Sequence, residues 1–309
     1  MDKHTQEVLL KLNGMAGADH ILLNEPMKYH TTMKVGGPAD LFITPSGIRE
    51  IAGVVNMLRK EKIPYFILGN GSNVICRDQG YRGAVICLSR FYKGYRILQQ
   101  EAGKVLVSVK AGTDNKKFSD ACIRKGLSGF EFASGIPGSI GGAVAMNAGA
   151  YDGEMKQIVR EVKLLDPEGA MVTKTGEEME FGYRHSLVTG KDYVILEVVL
   201  ELKEDDPEEI RKRVDELTRK REARQPLEYP SCGSTFKRPE GYFAGKLISD
   251  AGLKGFQLGG AQVSEKHAGF VINRDDASAE DILNLIEHVR QTVYEQSGVK
   301  LECEVKMLG

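Results

Sequence analysis

Residues 132–151 read FASGIPGSIGGAVAMNAGAY, twenty positions without a charge in a chain whose residues are 28% charged. A membrane-spanning helix needs ~20 apolar residues, so length alone permits a span. The content forbids it: five glycines, a proline, two serines and an asparagine do not make a stable lipid-facing helix. The stretch reads instead as a loop whose small residues let a ligand come close to the backbone. Its lack of charge implies burial, and buried N–H and C=O groups must find partners. A large polar ligand supplies such partners; a tightly packed interdomain loop is the competing account.

Upstream, LGNGSN (68–73) ends an apolar run, YFILG (65–69), in a small-residue turn. Glycines allow positive φ and can turn successive N–H groups toward one point, a nest suited to phosphate oxygens. The G-x-G is not completed to G-x-G-x-x-G and no helix pattern follows, so it is not a Rossmann fingerprint. Alone it is equally an ordinary Gly-Asn turn. Two such loops in one section favour a ligand of dinucleotide size.

The surroundings of these loops mix helix and strand. Ile48, Ile51, Val54, Val55 and Leu58 recur at helical steps behind Ser46 as N-cap. A hairpin is expected over YRILQQEAGKVLVSVKAG with its turn near Gly103, and a helix over 114–125. Two more strands follow, VREVKLLDPEGAMVTKT, folded about Asp166–Gly169, and YVILEVVLELK. The section from about 33 to 203 is therefore α+β with much antiparallel pairing. EDDPEEIRKRVDELTRKREARQP is a charged connector helix that places a domain boundary near 205–225. Beyond it come helices at about 241–252 and 278–296, the strand GFVIN, and a final strand KLECEVKML.

The totals narrow the function. A chain of 309 residues suggests two domains. Forty-two basic against forty-three acidic residues, with no long run of one sign, argue against nucleic acid or an anionic membrane as main partner. The start MDKHTQEVLLKLNGM has the pattern of neither signal peptide nor anchor, so a cytoplasmic protein is expected. Cys76, Cys87, Cys122, Cys232 and Cys303 are widely spaced and the six histidines scattered, which fits reduced thiols and no metal site.

KVGGPAD (34–40), LGNGSN (68–73), SGIPGSIGGAVAMNAGAYDGE (134–154), FGYRHS (181–186), CGSTFKRP (232–239) and LECEV (301–305) resemble, in that order, the motifs of the UDP-N-acetylenolpyruvoylglucosamine reductase family of peptidoglycan precursor synthesis. The resemblance implies an N-terminal helical segment (1–32) and a two-subdomain FAD-binding module of the vanillyl-alcohol-oxidase type (about 33–92 and 93–203). An α+β substrate-binding domain (204–309) follows, its C-terminal strand reaching the active site. It further implies non-covalent FAD, NADPH as reductant, and UDP-N-acetylglucosamine enolpyruvate as substrate, in a monomer without an obligate protein partner. No inserted loop with a substrate-clamping tyrosine is evident, which points to the family's shorter second type. Another FAD-dependent oxidoreductase on the same module is the alternative, and CGSTFKRP with the terminal EV argues against it.

By the same resemblance Ser234 is the proton donor, Arg184 the cation that steadies an enolate and grips the substrate carboxylate, and Glu304 a helper or acid. FAD contacts fall on Gly69, Asn70, Gly71, Ser72, Asn73, Gly135, Ser139, Gly141 and Gly142. Substrate contacts fall on Tyr183, Lys237, Arg238 and His267, with Lys237 and Arg238 toward the diphosphate and Tyr183 bordering the flavin. In the final strand, Val299, Leu301, Cys303, Val305 and Met307 alternate with Lys300, Glu302, Glu304 and Lys306. Periodicity alone puts Glu302 and Glu304 on one polar face and cannot separate them. Cys303 replaces a proline common in that motif.

Overall fold

The computed structural model describes residues 3–309. Helix α1 (Lys3–Ala16) buries Val8, Leu9, Leu12 and Ala16, and ends where Gly17 takes φ +84°. The helical segment expected over 1–32 stops there, its first two residues lying outside the described ones. Ile21–Pro26 is a strand, β1, paired with β2 (Pro38–Ile43). Helix α2 (Ile48–Lys60) buries Ile51, Val54, Val55 and Leu58 as the spacing requires. Its N-cap is Gly47, one residue past the expected Ser46, whose N–H and hydroxyl instead donate to the Glu50 carboxylate. Then come β3 (Tyr65–Leu68), β4 (Val74–Cys76), β5 (Tyr81–Cys87), β6 (Tyr95–Glu101) and β7 (Lys104–Lys110). The β6–β7 turn is Ala102-Gly103, both at positive φ, the geometry of a tight hairpin.

Asp114 caps α3 (Asn115–Lys125) by accepting from the Lys117 N–H, and Gly126 closes it at φ +64°. After β8 (Leu127–Ser128), the uncharged stretch contains one short helix, α4 (Ile140–Ala145), capped by Ser139. It leads to the small ladder of β9 (Gly149–Ala150) and β10 (Gly153–Glu154). The hairpin β11 (Val159–Leu165) and β12 (Met171–Thr175), the long β13 (Val194–Glu204) and the charged α5 (Pro207–Arg224) follow. Of α5 only Ile210 and Val214 are buried, against Ile123, as befits a connector on a surface. The last elements are α6 (Ala244–Asp250), β14 (Gln257–Leu258), β15 (Ala261–Val263), β16 (Val271–Asn273), α7 (Ala279–Ser297) and β17 (Lys306–Leu308).

The chain forms two compact units. The first comprises the chain through Leu23, Leu41–Asn70 and Gly83–Arg219; the second comprises Asn24–Asp40, Gly71–Arg82 and Lys220–Gly309. One sheet has the order β1-β2-β5-β3; an antiparallel one runs β12-β11-β13-β7-β6, with β8 also on β13. In that second sheet Val105, Val107 and Val109 alternate inward from β7 and Val194, Leu196, Val198, Leu200 and Leu202 from β13. They share a core with Phe118 and Phe130, whose rings meet edge to face at 4.9 Å.

In the second unit β14-β15-β16 packs under α7 through Ile282, Leu285, Ile286 and Val289. Asp78 explains why a segment distant in sequence belongs here: its carboxylate accepts from the N–H groups of Ala279 and Glu280, both at 2.9 Å, at the start of α7. The terminal strand differs from expectation. Only Lys306–Leu308 is regular strand, parallel to β4, while residues 301–305 run beside 235–237 with a single bridge, Phe236 to Cys303. Changing partners near Val305 shifts the alternation by one residue, so Met307 is 39% exposed and Leu308 is 3% exposed. The thiols of Cys76, Cys87, Cys122 and Cys232 are buried, and burial pushes those of Cys122 and Cys232 up to about 12.

Candidate active site

The two glycine loops meet inside the first unit. A Cβ at Gly69 would lie 2.2 Å from Ser139 Oγ and 3.1 Å from its Cβ, so the two loops touch here and a side chain at 69 would displace that hydroxyl. Asn70 Nδ2 donates to Gly138 O at 3.1 Å and to Asp114 Oδ2 at 2.6 Å, while Asp114 Oδ1 caps α3. From the other side, Asn115 donates its N–H to Gly138 O and its amide to Ile136 O, Gly141 donates its N–H to Ala111 O, and Ser139 is 2% exposed. Gly141 cannot carry a Cβ either, since Ala111 Cβ would stand 2.8 Å away. Gly135 is half-buried, Gly142 is exposed and a Cβ there would meet only Ser139 Oγ at 3.5 Å. The uncharged stretch is thus largely enclosed, and what it presents is backbone and small side chains.

The rest of LGNGSN belongs to the second unit. Gly71, at φ +64°, comes so close to His30 O that a Cβ would stand 2.0 Å from it, and its carbonyl accepts from the Thr32 N–H. Asn73 turns to the chain end: its Nδ2 donates to Glu304 O at 3.2 Å and its carbonyl accepts from the Lys306 N–H at 3.0 Å. Ser72 is half-buried between them.

Arg184 sits in the first unit in a tight turn that holds it at φ +53°, a left-handed conformation costly for a side-chain-bearing residue. Gly182 and His185 exchange backbone hydrogen bonds at 3.1 and 3.2 Å across that turn. Its guanidinium lies 5.1 Å from the ring centroid of the exposed Tyr183, a cation–π pair. The turn is fastened to the uncharged stretch twice. Asn147 Nδ2 donates to Gly182 O at 3.0 Å, and Ser186 Oγ donates to Ala145 O at 2.8 Å.

In the second unit the geometry converges on Thr235, 1% exposed. Its N–H donates to Gly269 O at 2.9 Å, its hydroxyl oxygen accepts from the Val271 N–H at 3.0 Å, and its carbonyl accepts from the Glu304 N–H at 2.8 Å. Ser234, exposed and preceding Thr235 in the chain, thus lies one residue from the main-chain bond to Glu304, its approach set by Gly233 at φ +74°. The two glutamates that periodicity left equivalent now differ. Glu302 is exposed and pairs through its carboxylate with Lys237 Nζ at 3.1 Å, whereas Glu304 is half-buried.

His267 hangs on the same framework. Its Nδ1 accepts from the Gly269 N–H at 3.1 Å, its ring meets Phe270 edge to face at 4.9 Å, and burial lowers its pKa, favouring the neutral imidazole. Arg238 stacks on the exposed Phe243 at 4.1 Å. Ser234, Glu304, Lys237, Arg238 and His267 therefore share one unit, while Arg184 and Tyr183 belong to the other. Sequence reading passed over Thr235, Asp114 and Asn147. Each is a polar residue that bonds main chain, and only the turn signals around them, such as Thr113-Asp114 before an amphipathic helix, could have flagged one in advance.

A model of an FAD binding domain matches residues 39–175, and one of the UDP-N-acetylenolpyruvoylglucosamine reductase C-terminal domain matches residues 225–308. The curated UDP-N-acetylenolpyruvoylglucosamine reductase of Alkaliphilus metalliredigens is 48% identical over 311 aligned residues, covering 100% of this chain and 99% of its own. The protein of that name from Clostridioides difficile is 46% identical over 306, covering 99% of each. The crystal structure of UDP-N-acetylenolpyruvylglucosamine reductase from Thermus caldophilus superposes with a TM-score of 0.76 at 36% identity, covering 94% of this chain and 98% of that one. Similarity of this extent, spanning both matched domains and nearly every residue, places the chain in the UDP-N-acetylenolpyruvoylglucosamine reductase family of FAD-dependent oxidoreductases.

Proposed function

We propose that the chain reduces UDP-N-acetylglucosamine enolpyruvate to UDP-N-acetylmuramate with NADPH as reductant, as a monomer in the cytoplasm. In this reading residues 33–203 hold FAD and residues from 204 onward bind the substrate. Ser234, Arg184 and Glu304 act on the reacting carbon and its carboxylate. The observation that carries it is the Thr235 junction, which fastens the segment of the exposed Ser234 to that of the half-buried Glu304 through the main chain. Among the described residues no helix is long and apolar enough to cross a membrane.

The residues suit the cofactor. Two glycine-rich loops in contact offer backbone and small uncharged side chains to a dinucleotide. When bound, FAD supplies hydride equivalents drawn from NADPH for the enolpyruvyl methylene carbon. The protein handles the resulting charge. Addition at the methylene leaves an enolate whose negative charge lies on the carboxylate oxygens, where the fixed charge of Arg184 lowers its energy. Ser234 gives its hydroxyl proton to the neighbouring carbon, completing the lactyl ether, and recovers a proton from water. Glu304, in its protonated form, donates a hydrogen bond to the same oxygens; ionised, it would repel them.

The test is anaerobic: protein reduced by NADPH is mixed with the enolpyruvyl substrate. The oxidised flavin spectrum is expected to return with formation of UDP-N-acetylmuramate, and flavin that stays reduced overturns the reading. The loop contact has its own test. Gly69→Ala drives a methyl into Ser139, an overpacking worth about 1–3 kcal/mol, and is expected to weaken FAD binding at least tenfold. Gly14→Ala in α1, where space is open, should retain it. Flavin titration reads both, and equal retention by the two variants contradicts the role given to the loop contact.

A further inference from the structure

We infer that Asn147 is a positioning residue for Arg184, holding the turn that carries the guanidinium; this rests on the role proposed for Arg184. Asn147 is 1% exposed and stands at φ +40°, a backbone state that asparagine tolerates better than most residues. Its side chain makes three hydrogen bonds to neighbours. Nδ2 donates to Gly182 O at 3.0 Å and to Glu154 Oε2 at 2.8 Å, and Oδ1 accepts from the Lys156 N–H at 2.9 Å. Glu154 in turn pairs with Lys156 Nζ at 2.7 Å and caps the next turn with Gln157.

Arg184 needs such support because its left-handed backbone persists only where the surroundings over-determine it. Gly182 O already accepts from the His185 N–H at 3.2 Å to close the turn. The amide of Asn147 takes its remaining lone pair and ties the turn to the uncharged stretch. Without that bond the turn keeps its own hydrogen bonds and the Ser186–Ala145 tie beyond it but loses its anchor at Gly182, so the cation shifts while the fold survives. Misplacing a catalytic group by ~1 Å can cost about 100-fold in rate.

Asn147→Asp keeps the shape and the acceptor but removes both donors. Pairing it with Glu154→Gln restores a hydrogen bond between positions 147 and 154, donated now from the glutamine, and leaves Gly182 O without its anchor. The double variant is expected to melt somewhat below the parent, because a carboxylate oxygen then faces Gly182 O in a buried site, and to match it in flavin reduction by NADPH, yet to reoxidise with substrate roughly 10- to 100-fold more slowly. Added to an Arg184→Ala background it should change that rate less than threefold, because both changes remove the same interaction. Parental reoxidation by the double variant, or an undiminished effect in the Arg184→Ala background, overturns the inference alone. Arg184→Ala at the parental rate removes the reading of Arg184 and the inference with it. Should Asn147→Asp not fold by itself, the double variant still decides.

Discussion

Ser234→Ala is expected to leave flavin reduction by NADPH within about twofold of the parent and to slow reoxidation by the enolpyruvyl substrate by about ten-thousand-fold, the upper range for a positioned general acid. The asymmetry follows from where the hydroxyl enters. NADPH gives up its hydride without needing a proton from Ser234, whereas the product requires a C–H bond that only a nearby donor can supply. Stability should hardly change, since Ser234 is exposed and the junction around it is built from the backbone and hydroxyl of Thr235. Stopped-flow absorbance separates the two half-reactions. Equal losses in both would assign the serine a structural role, and exchange of solvent deuterium into the lactyl position at the parental rate would remove it as donor.

How far the sequence led differs between fold and site for a physical reason. Helices such as α2 and strands such as β13 bury one face, and their periodicity is a direct trace of that burial. The hairpin turns were readable because Gly103 and Gly169 supply positive φ where the chain must reverse. Membership of the second unit was not readable. Asp78 belongs there through bonds to the start of α7, two hundred residues away, and no local pattern records a contact of that range. β1 was missed because Leu22 and Leu23 are both apolar and exposed, so ILLNEP shows no alternation.

For the proposed site the sequence offers residue types and not their arrangement. Ser234, Arg184 and Glu304 come from three motifs whose composition alone reads as turn, solvated cation and surface glutamate. What distinguishes them is held in the main chain: φ +53° at Arg184, φ +74° at Gly233 and the Thr235 carbonyl bound by Glu304. Backbone geometry of this kind depends on partners distant in sequence and leaves no periodic signal.

The pair Glu302 and Glu304 turns that difference into an experiment. Both are glutamates of one extended segment, two residues apart, and the side-chain alternation treats them alike. Glu304→Ala is expected to slow reoxidation by about a thousandfold, within the range for a group that stabilises charge or moves a proton in the transition state. Glu302→Ala should stay within threefold, because its carboxylate is exposed and engaged with Lys237 in an ion pair of the kind worth at most about 1 kcal/mol. Neither change touches the backbone bonds from Glu304 N to Thr235 O or from Asn73 Nδ2 to Glu304 O, so both proteins should melt close to the parent. Glu304→Gln retains a hydrogen-bond donor without a transferable proton. It is expected to recover at least tenfold over Glu304→Ala, as the proposed hydrogen bond to the substrate carboxylate requires. A glutamine variant as slow as the alanine one would shift the role of Glu304 to proton transfer, and an alanine variant at the parental rate would remove Glu304 from the mechanism.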